Sequence, residues 1–96
     1  MNHRRYIAYR SLVIELDAWQ ARRGLQPSAH EELCDAAEGM LLARGGEEAE
    51  EPLARASTTV LGMLALEELD ERRAAWVLDA LLACGPPIPQ ALSDAA

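Results

Sequence analysis

Residues Thr58–Pro86 read TTVLGMLALEELDERRAAWVLDALLACGP, and the fold follows from how this stretch divides. Val60, Leu61, Leu64 and the run from Leu66 to Leu69 supply apolar side chains at helical spacing, with Glu67 and Glu68 on the outer side. Asp70 stands where a second helix would begin. As an N-cap its carboxylate accepts from the backbone N–H of Arg72 or Arg73. Beyond it, Ala74, Val77, Leu78 and Leu81 repeat the i, i+3, i+4, i+7 pattern of a buried helix face. Gly85 is expected as a left-handed cap residue, and Pro86 and Pro87 forbid continuation. A break of one or two residues then lays the two helices antiparallel, side by side.

The same stretch resembles one tetratricopeptide unit. That signature runs W-x2-L-G-x2-Y, then A-x3-F, then Pro, on a helical hairpin. Leu61-Gly62, Ala65, Ala74, Leu78, Leu81 and Pro86 fall at its spacings. Thr58 stands at the Trp position, Ala65 at the Tyr position and Leu78 at the second aromatic position, and no second copy follows. The hairpin also looks like those of the small helical chaperones of bacterial type III secretion. The resemblance implies a groove that receives a partner helix, with Leu61, Leu64, Trp76 and Leu78 as its contacts. Trp76 sits about 100° off the Val77/Leu78/Leu81 seam. Only Ala80 and Ala83 flank it. The sequence leaves two placements open for it: against the first helix, or outward as an interface anchor of the kind Trp often provides.

Outward from the hairpin, the chain reads as two more helices. In residues 4–23, Tyr9, Leu12, Val13, Leu16 and Trp19 form one stripe, which Ile7, Ile14 and Ala18 widen. Tyr6, Tyr9 and Trp19 are expected as core anchors, with part of an exposed partner patch as the alternative, and Gly24 as the stop, after cations that suit the helix dipole. Ser28 with Glu31 spells a capping box for a second helix over 28–44. Its inner face is Leu33, Cys34, Ala37, Met40 and Leu41. Gly39 interrupts it, as at a close helix crossing. Gly45-Gly46 ends it. The run Glu47, Glu48, Glu50 and Glu51, with Pro52 behind it, reads as a solvated linker or as the acidic opening of a third helix. The expected helices are 4–23, 28–44, 50–68 and 70–84. Residues 86–96 read as a Pro-rich extended tail, anchored by Ile88 and Leu92.

Composition narrows the function classes. A chain of 96 residues makes one domain with a thin core, completed in many such cases by a partner. Four aromatic residues and no Phe leave the core to Leu and Ala, which favour helices packed closely. The net charge of −7 is segregated: +3 over residues 1–23 and −10 over residues 24–96. That sign argues against nucleic acid or an anionic membrane as a direct partner. No window offers the roughly 18 apolar residues of a membrane span, and the N-terminal Arg4-Arg5 lacks the apolar run of a signal peptide. Every basic side chain is Arg and none is Lys, which suits a GC-rich genome. Cys34 and Cys84 read as reduced thiols in a cytoplasmic protein.

Little in the chain spells chemistry. His30 and Cys34, four apart on one helix, can both reach one metal ion, and Glu31 and Glu38 are near; no second ligand pair accompanies them. The paired Glu-x-x-His motifs of di-iron bundles are absent, as are a catalytic triad signature and a phosphate-cradling loop. We therefore expect no enzyme, no cofactor, no metal and no catalytic residues.

The sequence points to an all-α fold: a small four-helix up-down bundle or a pair of αα-hairpins over residues 1–85. Its expected role is a protein-binding module, adaptor or chaperone, that holds another, helical protein on an apolar surface. The alternative is a small acidic inhibitor that occupies a basic or nucleic-acid-binding site on another protein. A homo-oligomer with a purely structural role is the third reading.

Overall fold

Four helices form where the apolar spacing places them, and no strand occurs among the described residues. The structure, a computed structural model, describes residues 3–87. The helices are α1 (His3–Ala21), α2 (Pro27–Leu42), α3 (Gly46–Ala65) and α4 (Glu71–Cys84). α2 and α4 meet through the middle. α1 packs on both from one side and α3 from the other, so α1 and α3 do not touch. The bundle measures 39 × 30 × 19 Å. Its thinnest dimension is about two helix diameters, so one layer of side chains makes the core. The Pro-rich tail begins with Pro86 buried and Pro87 exposed. The rest of it, with Ile88 and Leu92, lies outside the described residues.

The core is aliphatic. Leu12 and Leu16 of α1, Leu33 and Met40 of α2, Val60 of α3, and Val77, Leu81 and Cys84 of α4 are wholly enclosed. Leu25 and Leu69 close it from the loops. Of the three aromatic residues expected inside on α1, only Trp19 is buried. Tyr9 is half-buried and Tyr6 exposed. Ile7 and Ile14 do not widen the core stripe; both are exposed. Seven residues apart, they share a line along α1 on the side away from Leu12 and Leu16.

Small residues set the α2–α3 distance. Ala36 and Ala37 on α2, and Ala49 and Ala56 on α3, are wholly buried. A Cβ built on Gly39 would stand 2.9 Å from Pro52 Cβ and 3.2 Å from its Cγ. The interior glycine is thus the close crossing that its position suggests. Pro52 is not at the opening of α3, because that helix starts at Gly46 and places the proline about two turns in. With no N–H, Pro52 leaves the Glu48 carbonyl without its usual i+4 donor. The buried ring fills the gap opposite Gly39.

The helix ends depart most from expectation. Ser28 does not cap α2. Pro27 occupies the first turn, Gln26 is the extended N-cap residue, and no side chain caps the helix. A proline at this point already has the helical φ and no N–H to satisfy, so the start moves one residue upstream. Gly85 is extended, not left-handed, at φ −89° and ψ 176°. A Cβ there would lie 2.6 Å from Met40 Cε, the far end of a flexible side chain that would have to shift. Asp70 caps α4 as expected, accepting from the Arg73 N–H at 2.8 Å. The break before α4, residues 66–70, is longer than the one or two residues expected.

The left-handed positions fall on Arg23 (φ 61°) and Glu67 (φ 58°), not on glycine. Each closes the same motif. After α1, Arg23 N–H bonds to Gln20 O at 2.9 Å and Gly24 N–H to Trp19 O at 2.8 Å. After α3, Glu67 N–H bonds to Leu64 O at 3.0 Å and Glu68 N–H to Met63 O at 2.9 Å. These paired bonds satisfy carbonyls that a helix end otherwise leaves open. The two turns also meet: Gln26 Nε2 donates to Glu68 Oε1 at 2.7 Å.

At the opposite end of the bundle, one side chain gathers the other helix termini. Arg5 Nε donates to Cys84 O at 2.9 Å. Its Nη2 donates to Met40 O at 2.8 Å, Leu41 O at 3.0 Å and Ala43 O at 2.8 Å. These carbonyls belong to the C-terminal ends of α2 and α4, where partial negative charge accumulates.

Two stability predictions follow from these ends. Arg5→Ala should lower unfolding stability by about 2 kcal/mol, since bonds to a charged donor are lost at two helix ends. Arg5→Lys should recover less than half, because an ammonium cannot span both helices as a planar fork does. Urea unfolding measures both. Glu67→Gly should instead raise stability by about 0.5–1 kcal/mol, because glycine removes the left-handed penalty at a modest entropic cost. A loss of stability in that variant would contradict the strain argument.

Candidate functional site

The four residues singled out for partner binding lie on α3 and α4. Leu61 projects from α3 and is 64% exposed. Leu64, one turn on, is half-buried and packs against the core, as does Leu78 of α4. Trp76 is 40% exposed. It nevertheless leans on α1, its ring 5.7 Å from that of Trp19 at an interplanar angle of 58°. Both placements left open by the sequence are therefore partly realised: one face of Trp76 packs and the other meets solvent. Arg73 adds its guanidinium over Trp19 at 5.3 Å from the ring centroid. Trp19 itself donates from Nε1 to Glu15 Oε1 at 3.0 Å.

This arrangement separates Trp76 from its expected companions. Trp76 and Leu78 are two residues apart and so about 200° apart around α4. Trp76 serves the α1 side, and Leu78 lies on the flank away from it. Leu61 and Leu64 remain together on α3. Beside Leu64, a shallow open cleft of 460 Å³ runs along the α3–α4 turn, lined by Leu64, Glu67, Leu69, Asp70 and Glu71. Leu66, at the C-cap of α3, is 70% exposed. The apolar surface here is thus Leu61 beside half-buried Leu64, next to a cleft with an acidic rim; Leu66, two residues beyond Leu64, points to another side of α3.

Other exposed apolar side chains were not singled out by their spacing: Ile7 and Ile14 on α1, Leu42 at the end of α2, and Leu82 on α4. The breadth of the α1 stripe was the available signal for the first pair. A helix apolar around much of its circumference must either be enclosed or leave one side uncovered.

A second constellation joins α1 to α2. His30 Nε2 lies 2.6 Å from Asp17 Oδ1 and 3.6 Å from Cys34 Sγ. The i, i+4 spacing of His30 and Cys34 puts both on one face of α2, as the sequence indicates. Asp17, thirteen residues upstream of His30, is the member that local spacing cannot supply. The ligand atoms of all three lie within 4.8 Å of one another. The His30 side chain is 20% exposed and that of Asp17 60%, so the cluster sits at the surface with its histidine sheltered.

The geometry does not activate the cysteine. A relay from carboxylate through imidazole to a nucleophile needs the carboxylate on one ring nitrogen and the nucleophile on the other. Here both meet Nε2. The carboxylate only accepts, so Nε2 carries the proton and donates it to Asp17, leaving no base facing the sulfur. Burial, followed by the negative fields of Asp17 and Asp35, pushes the Cys34 thiol up to about 11. Cys84 is also pushed up to about 11, by burial, against an opposing pull from Arg5. Both cysteines are free.

No family model, curated protein or solved structure matches the chain. Among the described residues, no helix is long and apolar enough to cross a membrane.

The thiol environments give a direct test. Raising a thiol from 9 to about 11 lowers its thiolate fraction at pH 8 by about a hundredfold. The folded protein should therefore react with iodoacetamide at pH 8 far more slowly than the urea-unfolded chain. The reaction of Cys34, the more accessible of the two, should accelerate steadily up to pH 11. Rapid labelling of native Cys34 at pH 7 would show an activated thiolate instead.

Proposed function

We propose that this chain is a non-enzymatic protein-binding module, an adaptor or chaperone, that holds a partner chain on the apolar surface of its α3–α4 hairpin. The observation that carries the reading is the exposure of Leu61 beside half-buried Leu64 and the adjoining cleft. A partner helix that lays an apolar edge here would remove Leu61 and the open part of Leu64 from water. Burying an exposed leucine stabilises by about 1.5–3 kcal/mol, so this contact makes a useful anchor. The acidic rim of Glu67, Asp70 and Glu71 suits a partner with basic residues flanking its apolar edge. The tetratricopeptide-like spacing of residues 58–86 supports the same role. Trp76 contributes its solvent face, on the other flank of α4.

The thin core is consistent with such a role. A layer one side chain deep leaves apolar surface uncovered, and a bound partner extends that layer.

A tagged chain incubated with lysate of its source organism should retain a stoichiometric partner in both low and high salt. Leu61→Asp should abolish that retention with an unchanged circular dichroism spectrum, because Leu61 takes no part in the core. Trp76→Ala is the less clean variant, since it also removes the stack on Trp19. Retention unaffected by Leu61→Asp would reject this surface as the contact. A partner retained in low salt and lost in high salt would favour the acidic-inhibitor reading, because screening weakens charge pairing far more than apolar contact.

A further inference from the structure

We propose that Asp17, His30 and Cys34 form a three-ligand site for a zinc-class divalent cation, clamping α1 to α2. The donor set is one imidazole nitrogen, one thiolate sulfur and one carboxylate oxygen. These are the ligands zinc takes, and a hard cation such as magnesium or calcium would prefer oxygen alone. Sequence spacing offers only two of them, and two ligands at i, i+4 are a common coincidence. The fold adds the third from a different helix and brings it to the same ring nitrogen.

Proximity of the three donor atoms is the decisive feature: all lie within 4.8 Å of one another. A metal requires donor atoms that can surround one point. In a tetrahedral zinc site with bonds of about 2.0–2.3 Å, neighbouring ligand atoms stand roughly 3.3–3.7 Å apart. The sulfur–nitrogen distance of 3.6 Å already meets this. The nitrogen–oxygen distance of 2.6 Å is the length of a hydrogen bond, and it must open by about 0.7 Å as the ion replaces the Nε2 proton. Asp17, the most exposed member, has the freedom to make that movement.

The donor charges suit a cation. Asp17 brings a carboxylate into the cluster, and a divalent ion binds the cysteine sulfur as thiolate, releasing its proton. Three protein ligands leave one coordination position open to solvent on the exposed side. Such a site accepts water or a donor from another molecule as its fourth ligand, unlike a closed four-ligand structural site. The ion would also tie the C-terminal part of α1 to the first turns of α2. That contact now includes the Asp17–His30 bond.

Cobalt(II) is the probe, because a cobalt–thiolate bond gives a near-ultraviolet charge-transfer band that carboxylates on the acidic surface cannot give. Titration of the full chain under reducing conditions should produce this band at one equivalent, and zinc should displace it. Cys34→Ser should abolish the band, and Cys84→Ser should leave it unchanged. His30→Ala and Asp17→Asn should each weaken cobalt affinity by at least tenfold. Saturating zinc should raise the Tm of the wild-type chain and not that of Cys34→Ser. Circular dichroism confirms that each variant is folded; all three positions are surface or half-buried, and none is in the central core. The proposal is overturned if no band forms, if it persists in Cys34→Ser, or if Asp17→Asn binds cobalt as well as wild type does.

Discussion

The Arg5 guanidinium is the interaction on which the bundle's lower end depends. α2 and α4 meet in the middle of the fold and finish side by side with their carbonyls directed at the same point. Two helix C-termini so placed repel one another, and each leaves carbonyl oxygens without donors. Neither α2 nor α4 has a basic residue in its last turn to offset this. Arg5 supplies the missing charge and donors from α1. Its planar fork, always charged, reaches one helix through Nε and the other through Nη2. The first turn of α1 is thereby fixed to the last turns of two helices far away in sequence. This geometry sets where α1 lies across the other pair.

With that end fixed, the rest of the packing follows from residue size. Gly39 against Pro52 brings α2 and α3 close, and the alanines around them maintain the distance. α1 and α4 are held by larger groups, with Trp19 between Trp76 and Arg73. Apolar residues are left outside on both sides of the bundle. Leu61 and Leu66 belong to a helix that needs only one face for its core, and Ile7 and Ile14 belong to a helix with more apolar surface than its two neighbours cover.

Both proposed sites arise at seams between helices. Leu61 and Leu64 border the α3–α4 turn, where residues 66–70 form a longer connection and open a cleft. The Asp17–His30–Cys34 cluster sits where the C-terminal half of α1 crosses the start of α2. A protein-binding role and a cation site are compatible on this scaffold, since they use different helix pairs. The proposed cation site rests on three donor atoms brought within 4.8 Å of one another, and the proposed binding surface on exposed apolar area.

The sequence by itself determined the four helices, the all-α class, the Asp70 cap and the Gly39 crossing. Each of these depends on residues a few positions apart, and helical periodicity or local hydrogen bonding makes them readable. It did not determine how the helices end. Pro27 displaced the Ser28 capping box, Arg23 and Glu67 took the left-handed positions, and Gly85 proved extended. Hydrogen-bond closure and neighbouring atoms decide such details, and composition favours several solutions. Tertiary structure alone decided the Arg5 clamp, the Trp19–Trp76 stack and the arrival of Asp17 at His30. These contacts join residues separated by 13 to 79 positions, and no local pattern encodes the direction in which one helix crosses another. The candidate partner residues show the same limit: spacing placed Leu61 and Leu64 on one ridge, but only the packing of α4 against α1 set Trp76 on a different side from Leu78.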